Sequence, residues 1–201
     1  MLLDLLDWRR TVFAMYAAVR ANVERDPEGT LSQFRAARER MIRGHPQSPI
    51  PPAGRAGFSG LGHWPYDPAM RFEAAVEPAE PDRLIAHSLD GDPYPLDRIG
   101  HVRLPLGDLE VYWIQVYGGG VFIPFRDATS GTESYGAGRY LLDTIKGADL
   151  GGSDDRLVLD FNYAYNPSCA YDPRWSCPLA PAANWLRVPV RAGERTPTGH
   201  E

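Results

Sequence analysis

Apolar residues recur at helical spacing over the first part of the chain. Leu5, Trp8, Val12, Met15, Val19 and Val23 fall on one stripe, and Arg9, Arg10 and Arg20 lie off it. The spacing predicts a helix from about Leu3 to Glu24. Asp26-Pro27 stops it, because the residue before a proline disfavours the helical region. Thr30-Leu31-Ser32-Gln33 reads as a capping box opening a second helix. Its stripe is Leu31, Phe34, Ala37 and Met41, and Gly44 is its C′ residue. Residues 1–44 are therefore expected to form an antiparallel helical hairpin covering one end of a sheet. A partner-binding or membrane-surface role for these helices is the rarer alternative.

Periodicity vanishes over residues 45–68. The run His45-Pro46-Gln47-Ser48-Pro49-Ile50-Pro51-Pro52 is stiff and extended. Phe58-Ser59-Gly60-Leu61 and Trp64-Pro65-Tyr66 can each drop an apolar anchor onto a core, so the segment reads as an ordered strap. From residue 69 the period becomes two. Candidate strands are Arg71 to Val76, Arg83 to Ser88, Ile99 to Leu106, Leu109 to Val116, Val121 to Phe125, Leu157 to Tyr163 and Leu186 to Val190. Gly107-Asp108 and Tyr117-Gly118-Gly119-Gly120 read as the turns of successive hairpins. Connections this short exclude parallel crossovers. The expected fold is α+β, mainly β: an antiparallel β-barrel or sandwich with the N-terminal helical hairpin packed against it. One domain over 1–201 would hold a β-rich body at 69–193 and a frayed tail at 194–201.

Composition narrows the function classes. A chain of 201 residues, 43% hydrophobic and 11% aromatic, supports a real core and is not disordered. A net charge of −5 with scattered arginines argues against nucleic-acid binding, which needs a basic face. The opening Met1-Leu2-Leu3-Asp4-Leu5-Leu6-Asp7 is acidic where a signal peptide is basic. No apolar run approaches a membrane span. The expectation is a soluble, cytoplasmic protein in which Cys169 and Cys177 are thiols; self-association is left open.

Two stretches carry candidate chemistry. Pro124 to Tyr140 concentrates two arginines, two carboxylates, several hydroxyls and three glycines between apolar segments. Thr129-Ser130-Gly131-Thr132 can turn hydroxyls and N–H groups toward an anion. Arg126 and Arg139 can fork onto a carboxylate or phosphate, and Asp127 and Glu133 can serve as acid and base. The competing reading is a wide hairpin tip pinned by internal arginine–carboxylate pairs. Neither P-loop nor Rossmann spacing is present. The second stretch is Leu157 to Asn166. Extended, it places Leu157, Leu159, Phe161, Tyr163 and Tyr165 on one face. Val158, Asp160, Asn162, Ala164 and Asn166 fall on the other. Aspartate and asparagine are poor strand residues, so this second face is a polar-lined cavity or a solvated outer surface. Beyond it, Cys169 is a packed thiol, or a nucleophile in need of a base. His45, His63, His87 and His101 are candidates for that base. Two cysteines at this spacing do not make a zinc site, and no metal is expected. His101 and Arg103 share a strand face.

These residues resemble the signature of a bacterial family, domain of unknown function 1684. The resemblance rests on Pro124 to Glu133 with Tyr135-Gly136-Ala137-Gly138-Arg139-Tyr140. It rests equally on Leu159 to Tyr171, with Trp175, Cys177-Pro178-Leu179 and Asn184 behind it. It extends to Trp8-Arg9, His45-Pro46, Ser48-Pro49 and Phe58 to Leu61. Some members resemble envelope lipoproteins, whose leader the opening of this chain does not match. The resemblance implies no established activity. It points to the residues chosen above: Arg126, Asp127, Thr129, Glu133, Tyr135, Arg139, Asp160, Asn162, Asn166 and Cys169.

The functional expectation is a small-molecule enzyme, hydrolase-like, acting on an anionic substrate in a polar pocket of the β body. Glu133, Asp127 and Cys169 are the candidate catalytic residues. Arg126, Thr129, Tyr135, Arg139, Asp160, Asn162 and Asn166 would bind the ligand. A non-catalytic binding module, flavin included, and a purely structural role for both motifs are the alternatives. No cofactor is identified.

Overall fold

The computed structural model describes residues 1–197. Helix α1 spans Leu2–Asn22 and α2 spans Pro27–Gly44. The second helix begins earlier than its expected capping box. Asp26 is the N-cap, accepting from the Gly29 N–H at 3.0 Å, and Pro27 occupies the first turn, where its missing donor costs nothing. Thr30 lies buried inside the helix. Gly44 is the last helical residue, and His45 closes the helix in an extended conformation, without the left-handed turn expected at Gly44. Tyr16 and Val19 of α1 and its C-cap residue Val23 join Leu31 and Phe34 of α2 in the main core. The Tyr16 ring meets Phe34 edge-on at 5.1 Å. Leu5, at the outer end of the predicted stripe, stays exposed.

The β body holds β1 (Arg71–Ala75), β2 (Glu77–His87), β3 (Pro93–Leu104), β4 (Gly107–Ile114), β5 (Gly120–Phe125), β6 (Arg139–Asp143), β7 (Gly152–Ser153) and β8 (Arg156–Asp160). All pairings between these strands are antiparallel among the described residues. They form a five-stranded sheet in the order β2-β3-β4-β5-β6 and a three-stranded sheet in the order β1-β8-β7. Both orders are linear, so no closed barrel forms among the described residues. The β3–β4 turn is Pro105-Leu106, two residues before the expected Gly107-Asp108, since Leu104 pairs with Gly107. Strand β6 escaped the pattern because all five of its residues are buried and do not alternate. Leu186 to Val190 is not a strand. Val188 is exposed, Pro189 has no N–H to donate, and the segment's backbone bonds go to Arg126 and Ala128 beyond the end of β5, while Leu186 and Val190 are buried in the main core.

Strand β8 ends at Asp160, and Phe161–Tyr163 is a turn of 3₁₀-helix. The predicted two-faced alternation through Asn166 therefore stops at Asp160, whose carboxylate accepts from the Asn162 N–H at 3.0 Å. Within the strap, Pro52–Gly57 forms a 3₁₀-helix rather than an extended run, and the apolar anchors Phe58 and Trp64 are buried. Ile50 and Phe58 are buried with Ile42, Ala170 and Tyr171, and Trp64 is buried over Arg139. The end of the chain does not fray at Gly193. Glu194 is only 2% exposed, and the Arg195 N–H donates to the Gly62 carbonyl at 2.9 Å. Residues 198–201 of the expected tail lie outside the described residues.

One buried side chain joins the β4 and β5 strands to the C-terminal loops. Asn184 accepts from the Glu110 N–H at 2.8 Å and donates to the carbonyls of Glu110 (3.1 Å) and Pro124 (2.8 Å). Pro124 sits where the β5–β6 register shifts. Asn184→Ala leaves one N–H and two carbonyls without partners, a loss of about 2–4 kcal/mol at 1–3 kcal/mol per stranded group after partial hydration. The drop should appear as a lower denaturant midpoint with an unchanged slope.

Candidate functional site

The first motif is the loop from Arg126 to Gly138 joining β5 to β6. Arg139, the first residue of β6, is 1% exposed. Its Nη2 donates to Asp127 Oδ2 at 2.6 Å and to the Val190 carbonyl at 2.8 Å. Its Nη1 donates to the carbonyls of Ala192 (2.5 Å) and Glu194 (3.1 Å). The rings of Trp64 and Phe125 lie 5.0 Å from the guanidinium carbon. Asp127 also accepts from the N–H and the hydroxyl of Thr129, at 2.6 and 2.5 Å, and Thr129 shares a further hydrogen bond with Ser134. Gly138 allows the chain to turn into β6: at φ +98° it adopts a left-handed conformation, and a Cβ there would sit 2.5 Å from the Phe125 carbonyl.

Arg139, Asp127 and Thr129 are thus brought together with their hydrogen bonds directed at one another and at the Val190–Glu194 backbone. The other residues of the stretch stand apart. Glu133 forms a forked pair with Arg191 on the surface, at 2.7–3.1 Å, and that pairing holds its carboxyl below the usual range. Arg126 lies over the Trp185 ring at 4.3 Å. The Tyr135 hydroxyl donates to the Cys169 carbonyl at 3.2 Å.

The second motif meets the first. Tyr140 and Tyr165 exchange backbone hydrogen bonds of 2.9 and 3.1 Å. Asn166 donates its N–H to the Glu194 carboxylate at 2.8 Å and its amide to the Arg195 carbonyl at 2.7 Å. Residues 190–195 are therefore clamped between Arg139 on one side and Asn166 on the other. Asp160 and Asn162 point to a different place. Asn162 ties Asp160 to Asp67, donating to the Asp67 carbonyl at 2.8 Å. Asp160 Oδ2 makes no hydrogen bond among the described residues; Arg71 Nη1 is its nearest cation at 3.8 Å, and burial raises the carboxyl.

A cleft opens elsewhere, between α1 and the Ser168–Pro178 segment. It encloses about 390 Å³ and is lined by Trp8, Tyr94, Lys146, Ser168, Trp175 and Cys177, among others. That volume is in the range of small-molecule sites. A smaller cavity of about 70 Å³ shares Trp8, Lys146 and Ser168 with the cleft and reaches inward to Arg38, Tyr165 and Asn166. The buried Asn166 Oδ1 has no hydrogen-bond partner among the described residues.

Both cysteines are free and buried. Cys169 has the largest influence on the Cys177 thiol and draws it below the usual thiol range. Burial opposes it. The Cys169 N–H, the Lys146 charge and the Ser168 N–H add to it. Cys169 is pushed up by its neighbour Cys177 and by burial. Among the described residues, none of the largest influences on either sulfur is a histidine. His45 instead meets Asp7 at 3.1 Å, and His101 and Arg103 face Glu77. Of the residues chosen from sequence, Asn166 borders the inner cavity and Cys169 lies one residue from the lining. Cys177, Lys146, Tyr94 and Trp8 were not chosen, because only the fold places them together. The nearest sequence signal was the Trp8 and Cys177-Pro178 parts of the resemblance.

A family model described as "Protein of unknown function (DUF1684)" matches residues 56–195. Among solved structures, the chain is similar to the solution NMR structure of an uncharacterized protein from Haloarcula marismortui. The two are 36% identical, the match covers 87% of this chain and 97% of that one, and the TM-score is 0.57. No curated protein matches the chain.

Proposed function

The chain belongs to the protein family of unknown function DUF1684, and we infer that this member is a small-molecule enzyme whose site is the cleft under α1, with Cys177 as its nucleophile. What carries this reading is one observation: a free thiol, Cys177, forms part of the wall of a ligand-sized cleft beside Lys146, whose charge draws it toward the thiolate. The reaction class is acyl transfer to sulfur followed by hydrolysis. Lys146 and Arg9, both at the cleft, favour a substrate with an anionic group, and Trp8 and Trp175 favour an apolar or aromatic portion. Asn166, with a free acceptor at the inner end, would orient it. In this reading Arg139, Asp127 and Thr129 hold the chain's end in place, and Glu133 and Arg126 stay outside the chemistry.

Iodoacetamide at pH 7, followed by peptide mapping, should label Cys177 in the folded protein and leave Cys169 untouched. Labelling should persist at pH values where an ordinary thiol, with a pKa of about 8.5, has become unreactive. Hydrolysis of activated phenyl esters should vanish in Cys177→Ser and survive in Arg191→Ala. A Cys177 that reacts only after unfolding removes the nucleophile from the site. The alternative, a non-catalytic binding module, rests on the unpartnered Asn166 acceptor. It is favoured if Cys177→Ser binds small anionic aromatics as tightly as wild type while no ester is turned over.

A further inference from the structure

The first two turns of α1 are apolar and uncovered. Leu2 and Leu3 are 86% and 73% exposed, and Leu5 and Leu6 are 38% and 41% exposed. Leucines exposed side by side in this way exceed the scattered apolar residues of an ordinary surface. They adjoin the cleft, because Leu5, Trp8 and Arg9 of the same helix line it. We propose that the cleft and this end of α1 form an acyl-chain subsite, which takes amphiphiles with an anionic head and a straight apolar tail. The inference rests on the reading that the cleft is the functional site, and it names the substrate class of that site.

Helical spacing sets the direction of the tail. Leu5, Trp8 and Arg9 are three and four residues apart and share one face. Leu2 lies three residues before Leu5 and four before Leu6, so it continues that face beyond the cleft. From Arg9 to Leu2 the face runs about 10 Å, at a rise of about 1.5 Å per residue. Charge changes along the same line. Arg9 and Lys146 stand at the cleft. Lys146 shares its charge with Asp143, 3.5 Å away, whereas Arg9 has no ion pair among the described residues. At the outer turns the Met1 amine is already paired with Asp4 at 2.6 Å, and Asp7 adds negative charge. An anionic head is therefore drawn to Arg9 and Lys146, and the tail points along Leu5 toward Leu2.

The cleft walls are fixed by contacts of their own. Trp175 donates its indole N–H to the Pro49 carbonyl at 3.0 Å, and the Tyr94 hydroxyl donates to the Ser176 carbonyl at 3.1 Å. Both spend their polar atoms on the backbone and offer the cleft ring surface. The Trp8 ring is held edge-on against His45 at 5.1 Å. A methylene chain matches such walls, with one side left in water. Each methylene should then add about twofold in affinity, against about fourfold for full burial.

The test is binding of straight-chain carboxylates from hexanoate to dodecanoate, below micelle formation, read by tryptophan fluorescence. Full-length wild type and Cys177→Ser should both show affinity rising about twofold per methylene. Leu2→Asn combined with Leu5→Asn should flatten that rise, with the largest loss for dodecanoate. Arg9→Gln should weaken every chain length by a similar factor and keep the rise. Both leucines are exposed, and circular dichroism of each variant checks that the fold is kept. No binding, a rise that survives the leucine changes, or equal binding of the matching alkanols overturns the proposal. Binding to neutral phosphatidylcholine vesicles without binding of monomeric carboxylate overturns it too, and makes the leucines a membrane contact. A dimer that the leucine changes dissociate, again with no carboxylate bound, overturns it in favour of a contact between copies. The nucleophile reading fails separately. Carboxylate binding with the expected rise beside a Cys177 inert to iodoacetamide removes the enzyme and keeps the subsite. A labelled Cys177 with no dependence on chain length does the reverse.

Discussion

Arg139→Ala should unfold the protein at a much lower temperature than any surface substitution in the same loop. The side chain is enclosed, pairs with a fully buried carboxylate, and supplies three backbone carbonyls with donors. Removing it leaves Asp127 charged with only Thr129 to satisfy it, and strands the carbonyls of Val190, Ala192 and Glu194. Breaking a buried pair on one side costs about 3–5 kcal/mol. For a chain of this size that corresponds to a fall in Tm on the order of 10 °C. Asp127→Ala should cost a similar amount, and the double variant less than the sum, because each single change already ends the same network. Glu133→Gln is the contrast within the same motif. Its pair with Arg191 is solvent-exposed and screened, so the melting temperature should barely move. Thermal unfolding of the four variants decides the matter. A normal Tm for Arg139→Ala, with loss of ligand binding or turnover, would return the motif to the functional role its composition suggested.

That contrast shows where sequence reasoning reaches and where it stops. Local periodicity located both helices, and alternation located β1 and β4, because half-buried elements leave a spacing in the chain. Strand β6 left none, since both of its faces are covered. The polar richness of residues 126–139 was legible, and so was the alternative that the charges satisfy one another. What Arg139 touches depends on the Val190–Glu194 backbone, which approaches it from more than fifty residues away. The N-cap at Asp26 was available from Asp26-Pro27 itself, a pairing that can start a helix as readily as stop one. Cys177 could be counted but not valued. Its character depends on Cys169, Lys146 and the wall formed by α1, and no spacing rule brings those together.

The same long-range logic makes Glu194 the second sensitive position. It lies in the stretch expected to fray, yet its carboxylate pairs with Arg38 of α2, accepts from the Asn166 N–H at 2.8 Å and meets the Tyr171 hydroxyl at 3.2 Å. Arg38 is 13% exposed in its side chain and stacks 4.8 Å from the Tyr165 ring. Gly193 sets the approach, at φ +77°, where a Cβ would press on the Ala164 and Phe161 carbonyls. Glu194→Ala leaves Arg38 a nearly buried, unpaired cation at a cost of about 3–5 kcal/mol. Since the pair joins α2 to the β body, hydrogen exchange should accelerate in α2 before it does in β3 and β4. Acid exposes the same group. Burial alone would raise the Glu194 carboxyl, but the Arg38 charge and hydrogen bond, His63 and the Asn166 N–H outweigh it and hold it below its ordinary range. A carboxyl depressed in the folded state binds fewer protons there than in the unfolded chain. Its stabilisation is therefore complete above the unfolded pKa of about 4.3 and is lost as the pH falls through the folded value. Denaturant midpoints measured from pH 6 downward should fall steeply below about pH 4 in wild type. The slope should be shallower in Glu194→Gln, which has no proton to gain. Equal slopes in the two proteins would mean that Glu194 does not carry the acid sensitivity, and that its pairing with Arg38 contributes less than the geometry requires.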